Sequence, residues 1–202
     1  PAVFGQISYS IKSLFKHDQL IVSVMAGKSL KIINKSLIGY DEFSDYSDKS
    51  ESLQIVRAMP NTPALIGEAM SALSYSESVT DANKALATKI FNSFGKSEEI
   101  PENLMDAVTG VSGSSPAYIY MMIEAMADEG VRAGLPRQKS YTFAAQAVLG
   151  SAKMVLETGK HPGELKDAVT SPGGTTIAGL AALEEMGFRG TVMEGIHAAI
   201  MK

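Results

Sequence analysis

The sequence predicts an α/β half followed by an all-α half. In the first hundred residues, short apolar runs rich in β-branched residues alternate with stretches of helical periodicity, which is typical of a layered, mostly parallel sheet. From Pro101 onward the strand signal disappears, and prolines and glycines mark the beginnings and ends of helices. We therefore predict two domains, residues 1–100 and residues 101–202.

The elements of the first half follow from periodicity and turn residues. Apolar residues at three- and four-residue spacing predict a helix between Val3 and Phe15. The apolar run at 20–24, closed by Gly27, predicts a strand buried on both faces. The other predicted elements are a helix capped by Ser29, an exposed loop at 39–52, strands at 55–58, 69–75 and 98–100, and a helix from Thr80 or Asp81 to Gly95.

The helices of the second half have too much apolar surface for a unit of this size. Helix 116–133 is apolar almost all the way round, so it must be buried on every side. Helix 143–156 is also rich in Ala, Val and Leu, and packing against another subunit is the simplest way to bury both. The remaining predicted helices begin at Pro136, Pro162, Pro172 and, with Glu194 completing a capping box, Thr191.

Composition excludes several classes of protein. The 202 residues are 45% hydrophobic and 20% charged, which is enough for an ordinary core, and the 18 basic residues are scattered, so we expect no nucleic-acid partner. Cysteine is absent and the three histidines lack ligand spacing, so we expect no metal and a cytoplasmic location. The longest apolar stretch, 116–127, is shorter than the roughly 20 residues of a membrane span, so we expect no membrane association.

Two phosphate-binding motifs are missing. Gly27-Lys28-Ser29 follows a predicted strand, but a phosphate loop requires glycine at the position that Val22 occupies. The dinucleotide pattern GxGxxG does not occur in these 202 residues.

The segment 170–176, TSPGGTT, predicts an open helix N-terminus. Ser171 is the predicted cap and Pro172 the predicted first helical residue, and the glycines leave backbone N–H groups bare. Such a terminus suits a carboxylate or phosphate, and Thr175 and Thr176 add hydroxyl donors. An ordinary helix start remains the alternative.

The segment 59–63, MPNTP, follows a predicted parallel strand. Open α/β sheets bind ligands at the carboxyl ends of such strands, and the prolines could aim the Asn61 amide at a ligand. A rigid turn without a ligand is the alternative reading.

Several segments together closely resemble pyrroline-5-carboxylate reductases over nearly the whole chain. The resemblance implies an N-terminal Rossmann domain that binds NADPH or NADH, of which this chain holds the C-terminal part. It also implies an all-helical domain that forms an interlocked homodimer, with dimers assembling into rings such as a decamer. The segments are IVSVMAG (21–27), RAMPNTPALIGEAMSAL (57–73), GVSGSSPAYIY (110–120), HPGELKDAVTSPGGTTI (161–177) and GFRG (187–190).

The resemblance also implies a reaction. In this family a hydride passes from the reduced nicotinamide to the C=N carbon of 1-pyrroline-5-carboxylate and gives L-proline, the last step of proline biosynthesis. By resemblance, Ser171 and the N–H groups of Gly174 and Thr175 bind the carboxylate, and the catalytic Thr176 hydroxyl contacts the ring nitrogen. Met59, Pro60 and Asn61 are implied to line the nicotinamide side.

Two other functions remain open. The chain begins with Pro1 where the family's Rossmann domain is about half complete, so we expect a fragment that is inactive by itself. It could therefore act only as an oligomerisation module. A 3-hydroxyacid or 6-phosphogluconate type of dehydrogenase is the other alternative, although the catalytic lysine that those enzymes use has no counterpart here.

Overall fold

The computed structural model describes residues 3–11, 14–15, 18–38 and 53–202, so the loop predicted at 39–52 lies outside the described residues. The chain divides into two compact units. Unit 1 is Pro1–Pro116 with Lys202, and unit 2 is Ala117–Met201. The predicted domain boundary after residue 100 stays a prediction.

Unit 1 contains a four-stranded sheet in the order β1-β2-β3-β4. The strands are β1 (Leu20–Ser23), β2 (Gln54–Met59), β3 (Ala69–Tyr75) and β4 (Gly95–Glu99). The β1/β2 and β3/β4 pairs are parallel, whereas β2 and β3 are antiparallel. Residues 60–68, which join β2 to β3, are too few for the crossover of a dozen or more residues that a parallel pair needs.

The sheet carries helices on both faces. Helices α1 (Phe4–Ile11) and α2 (Leu30–Ile38) cover the face that contains Ile55. Helix α3 (Asp81–Asn92) covers the opposite face, where Val56 packs against Phe91. Neighbouring residues of a strand point to opposite faces, so Ile55 and Val56 anchor two separate cores.

Two details of the prediction for unit 1 are wrong. Strand β1 is not buried on both faces, because Ile21 packs against the core under α1 and α2 while Val22 is left 40% exposed. Gly95 does not end α3, since the helix ends at Asn92 and Gly95 begins β4. The predicted start at Thr80 or Asp81 is confirmed, because α3 begins at Asp81 and the Thr80 Oγ1 caps it by accepting the Asn83 N–H at 3.3 Å.

The chain after β4 is helical, which confirms the predicted all-α half. A 3-10 helix (Glu102–Leu104) leads into the short α4 (Met105–Val108) and a π-helical turn (Thr109–Gly113). The longer helices are α5 (Ser115–Arg132), α6 (Arg137–Thr158), α7 (Pro162–Ala168), α8 (Thr175–Glu185) and α9 (Phe188–Ile200).

Two predicted helix starts are wrong. Helix α8 begins at Thr175 rather than Pro172, because Pro172 and Gly173 form a turn first and Gly174 is the N-cap. Helix α9 begins at Phe188, so the predicted capping box of Thr191 lies inside the helix. The Thr191 hydroxyl donates to the Gly187 carbonyl at 3.2 Å instead of capping.

Helix α5 is not buried on every side within one chain. Met121 on α5 is 68% exposed and Phe143 on α6 is 63% exposed, whereas Ala127 is fully buried. Among the described residues, no helix combines the length and apolarity of a bilayer span. Among the described residues, the apolar faces of α5 and α6 are thus left largely uncovered, which agrees with the predicted packing against another subunit.

Gly95 is required at the β3/β4 contact, and substituting it should destabilise unit 1. A Cβ at Gly95 would lie 2.2 Å from the Ala69 carbonyl oxygen, and backbone of two paired strands cannot move aside. We expect Gly95→Ala to lower the free energy of unfolding by about 3 kcal/mol, measured by chemical denaturation. The control is Gly5→Ala in α1, where no atom lies within 4 Å and alanine should be neutral or stabilise by up to about 1 kcal/mol. Equal stabilities of the two variants would contradict the prediction.

Candidate functional site

The loop after β2 carries the first group of predicted site residues. Strand β2 ends at Met59, which is buried against Ala72 and Met105, and Pro60 and Asn61 follow directly. The loop then forms a 3-10 helix, Thr62–Ile66, in which the Ala64 N–H donates to the Asn61 carbonyl at 3.2 Å. The group thus lies at the carboxyl end of β2, where open α/β sheets bind ligands.

The Asn61 side chain is directed at the protein. Its Oδ1 accepts the Met70 N–H at 3.0 Å, at the beginning of β3. Its Nδ2 donates to both the carbonyl oxygen and the Oγ of Ser112, each at 3.3 Å. Asn61 therefore joins the loop to β3 and to the π-helical turn, a role that its place in the sequence did not predict.

The N-terminus of α2 explains why Gly27-Lys28-Ser29 is no phosphate loop. The Leu30 N–H donates to Glu102 Oε1 at 2.6 Å, and the Ile32 N–H donates to Ser29 Oγ at 3.2 Å. The second bond confirms the predicted Ser29 cap. Because these N–H groups already have acceptors from the chain, a phosphate would have to displace a carboxylate.

Glu102 is in turn paired with Arg57, a buried charge that sequence reasoning did not single out. Arg57 Nη1 lies 3.3 Å from Glu102 Oε1, and the Arg57 side chain is only 7% exposed. The sequence did contain an indication of this pair, because Arg57 is a charged residue inside an apolar strand. Charged residues are rarely buried without a partner of opposite charge. The pair lies on the strand that leads to Met59 and Asn61.

The second group of predicted residues surrounds the N-terminus of α8 in unit 2. Gly173 has φ +68°, and the Gly174 N–H donates to the Ser171 carbonyl at 3.1 Å, so a tight turn precedes the helix. No side chain caps α8, which corrects the predicted Ser171 cap. The side chains of Ser171, Thr175 and Thr176 are exposed.

This terminus leaves backbone donors bare. The first helical N–H groups, those of Thr175, Thr176 and Ile177, have no intrahelical acceptor, and the first backbone bond runs from the Ala178 N–H to the Gly174 carbonyl at 3.4 Å. Bare N–H groups and the positive end of the helix dipole suit an anion. The Gly174 N–H is already engaged, so the bare donors are the N–H groups of Thr175, Thr176 and Ile177.

Titratable groups do not gather at either set of predicted residues. Within the described ranges, no three His, Asp or Glu residues lie together as a metal site would need, and the expected absence of a metal stays a prediction. The hydrogen bond from Arg132 lowers the pKa of Glu129, and the hydrogen bond to Asp128 raises the pKa of Arg137. These pairs lie on the exposed surfaces of α5 and α6.

Two grooves of unit 2 lie elsewhere, along α5 and α6. One is an open groove of about 570 Å³ that includes Tyr120, Met121 and Tyr141. The other, about 430 Å³, is almost wholly apolar and includes Met126 and Val155. Neither contains a predicted site residue, and open apolar grooves between helices are typical of surfaces that another protein covers.

Comparisons with known proteins confirm the resemblance. The family model for pyrroline-5-carboxylate reductase dimerisation matches residues 102–202. Pyrroline-5-carboxylate reductase of Synechocystis is 51% identical over 89% of this chain, which spans 62% of that protein. The enzyme of Escherichia coli is 47% identical over the whole chain, which spans 71% of it.

A solved structure supports the same relationship. The Plasmodium falciparum pyrroline carboxylate reductase with NADP bound superimposes with a TM-score of 0.86 at 35% identity, covering all of this chain and 76% of that one. These similarities decide against the 3-hydroxyacid type of dehydrogenase and confirm the fold, a partial Rossmann-like domain followed by a helical domain. The chain belongs to the pyrroline-5-carboxylate reductase family.

Proposed function

We propose that this protein reduces 1-pyrroline-5-carboxylate to L-proline with NADPH or NADH as the hydride donor. The observation that carries the proposal is the bare N-terminus of α8, where neutral donors surround a site for a small anion. Family membership supports the reaction, and the NADP in the Plasmodium falciparum enzyme supports the cofactor. The cytoplasmic location stays a prediction.

Binding of the substrate carboxylate is assigned to the turn before α8. The N–H groups of Thr175 and Thr176 and the Ser171 hydroxyl supply donors without a charged side chain, and the helix dipole adds a partial positive charge. The Gly174 N–H bonds to the Ser171 carbonyl, so Gly174 acts by shaping the turn unless that bond opens. A carboxylate contacts this site similarly in the ground state and the transition state, so the site contributes mainly to binding.

Thr176 is assigned to the reacting nitrogen. The hydride adds to the C=N carbon, the electron pair of the C=N double bond moves to the nitrogen, and the nitrogen takes up a proton from water to give the amine. The Thr176 hydroxyl is exposed and belongs to the first turn of the same helix that receives the carboxylate, so one element orients both ends of the substrate. The chemistry requires no strong general base, which agrees with a site of hydroxyl and backbone groups.

The residues after β2 fit the nicotinamide side. When bound, the reduced nicotinamide supplies the hydride. Pro60 is half-buried and apolar, the buried Met59 packs beneath the start of the loop, and the short 3-10 helix fixes the backbone, so the loop can hold one orientation of a flat ring. The loop follows a strand end, as in other dinucleotide sites.

We further propose a homodimer in which a second copy covers α5 and α6. The match to the family's dimerisation domain and the exposed apolar side chains of these helices support this arrangement. By family resemblance, the helical site of one subunit would meet the Rossmann domain of the other, and dimers would assemble into larger rings. Dimerisation would then be part of the active site.

Substitutions of Ser171 and Thr176 should separate binding from turnover. In the protein expressed from its complete coding sequence, Thr176→Ala should lower kcat by about 5- to 150-fold, the equivalent of roughly 1 to 3 kcal/mol for one hydrogen bond. Ser171→Ala should mainly raise the KM for 1-pyrroline-5-carboxylate. Steady-state kinetics measure both constants.

Thr80→Ala is the matched control for these variants. Thr80 caps α3 in unit 1, so its loss should cost about 1 kcal/mol of stability and leave the kinetic constants unchanged. If Ser171→Ala and Thr176→Ala behave like this control, the substrate site is misassigned. If the unmodified protein does not reduce the substrate at all, the proposed reaction is wrong and oligomerisation alone remains.

A charge in the α5/α6 groove should dissociate the dimer. We expect Met126→Glu to sediment as a monomer at micromolar concentration, because a buried carboxylate without a partner costs several kcal/mol. Leu86→Glu, at a 47% exposed position of α3, is the control and should leave the assembly intact. Sedimentation velocity measures both, and a dimeric Met126→Glu protein would place the interface elsewhere.

A further inference from the structure

The motif at 110–115, GVSGSS, has no role in the function described so far. It forms the π-helical turn Thr109–Gly113 and the residues that follow it. Within this turn, Ser112 accepts two hydrogen bonds from the Asn61 amide, one at its carbonyl and one at its hydroxyl, both at 3.3 Å. Single π-helical turns occur often at functional sites, because they redirect backbone groups away from the regular helix pattern.

The Ser112 carbonyl can accept this bond because of Pro116. In a continuous α-helix the N–H four residues later would bond to this carbonyl, but proline has no N–H. The carbonyl therefore needs a donor from outside the helix, and Asn61 Nδ2 supplies it. Pro116 thus leaves the Ser112 carbonyl without a donor from the helix, and Asn61 provides one.

The Asn61 side chain is what fastens the loop between β2 and β3. The backbone bonds of this loop are local, such as the one from the Glu68 N–H to the Pro63 carbonyl at 3.0 Å. In residues 60–68, all of which the structure describes, Asn61 alone makes side-chain hydrogen bonds. Releasing this side chain would therefore free the loop at the point where it leaves β2.

The same bonds leave Asn61 little capacity to bind a ligand. The Asn61 Nδ2 already donates to Ser112, where the carbonyl and hydroxyl oxygens both lie at 3.3 Å, and Oδ1 already accepts the Met70 N–H. To donate to a cofactor in the same direction, Asn61 would have to give up one of these bonds. The neighbouring Met59 and Pro60 make no side-chain hydrogen bonds that such a contact would break.

We propose that Asn61 is a positioning residue, and that Ser112 holds it so that the loop at Pro60, which the buried Met59 supports from below, presents a fixed surface to the nicotinamide. This inference rests on the proposed function. It changes the role of Asn61 from a residue that binds the cofactor to one that positions the loop. It also gives the motif GVSGSS a function in the active site. Displacement of the loop should affect the geometry of hydride transfer more than affinity for the dinucleotide.

The test is a double-mutant cycle in the protein expressed from its complete coding sequence. We expect Asn61→Ala to lower kcat by about tenfold or more and to change the KM for the dinucleotide by less than about threefold. Ser112→Ala, which keeps the carbonyl contact, should lower kcat by about threefold. The double variant should match Asn61→Ala alone, because the two residues act through one contact.

A second asparagine–serine pair in unit 1 provides the control. Ser97 Oγ donates to Asn92 Oδ1 at 2.9 Å on the exposed surface. Asn92→Ala and Ser97→Ala should leave kcat and both KM values unchanged. Asn61→Asp is a further variant, since it keeps the acceptor for the Met70 N–H but cannot donate to Ser112, and it should retain the defect in kcat.

The outcomes of these experiments distinguish a positioning role of Asn61 from direct binding of the cofactor and from a purely structural role. A raised dinucleotide KM in Asn61→Ala with a silent Ser112→Ala would make Asn61 a direct ligand and overturn the inference. Normal kinetics with a lowered Tm in both variants would show that the contact between Asn61 and Ser112 only stabilises the fold. That result would also overturn the inference. If Asn61→Ala does not fold, Asn61→Asp and Ser112→Ala decide, and normal kcat in both overturns the inference. An inactive unmodified protein would instead refute the proposed function itself.

Discussion

The ion pair between Arg57 and Glu102 is the interaction on which the architecture of unit 1 depends. Strand β2 is buried along its whole length, so its one charged side chain, that of Arg57, needs an oppositely charged partner from another segment of the chain. Glu102 is that partner and also accepts the Leu30 N–H at the beginning of α2. Because an unpaired buried charge costs several kcal/mol, this contact holds together the central strand, a helix and the segment after β4.

The segment after β4 is attached to β2 at both of its ends. Near its beginning, Glu102 pairs with Arg57 inside the strand, and near its end Ser112 accepts the hydrogen bond of the Asn61 amide just beyond the strand. Between them Met105 is fully buried against Met59. A short stretch of β2 thus organises the loop that is proposed to contact the cofactor and the segment that leads into α5.

Unit 2 is subject to a different constraint. Its five helices carry more apolar surface than they bury against one another. Ala127 and Ala144 are buried, yet larger apolar residues of the same helices, such as Leu156 at 70% exposure, are not. The polar chemistry lies away from these faces, at the N-terminus of α8, where backbone and hydroxyl groups replace charged residues. The proposed surface for association and the proposed site for a small anion thus lie on separate helices of one unit.

The sequence by itself determined the types of element, most of their boundaries and the family, because burial periodicity, caps and motif order are local properties of the chain. It predicted β3 at 69–75, and the structure has that strand at Ala69–Tyr75. It placed the start of α8 too early, because proline and serine permit a helix start there but the turn at Gly173 delays it. Only the tertiary structure decided that Asn61 turns toward Ser112 and that Glu102 reaches Arg57, since both contacts join residues that are distant in sequence, and no local pattern encodes the partner of a polar side chain.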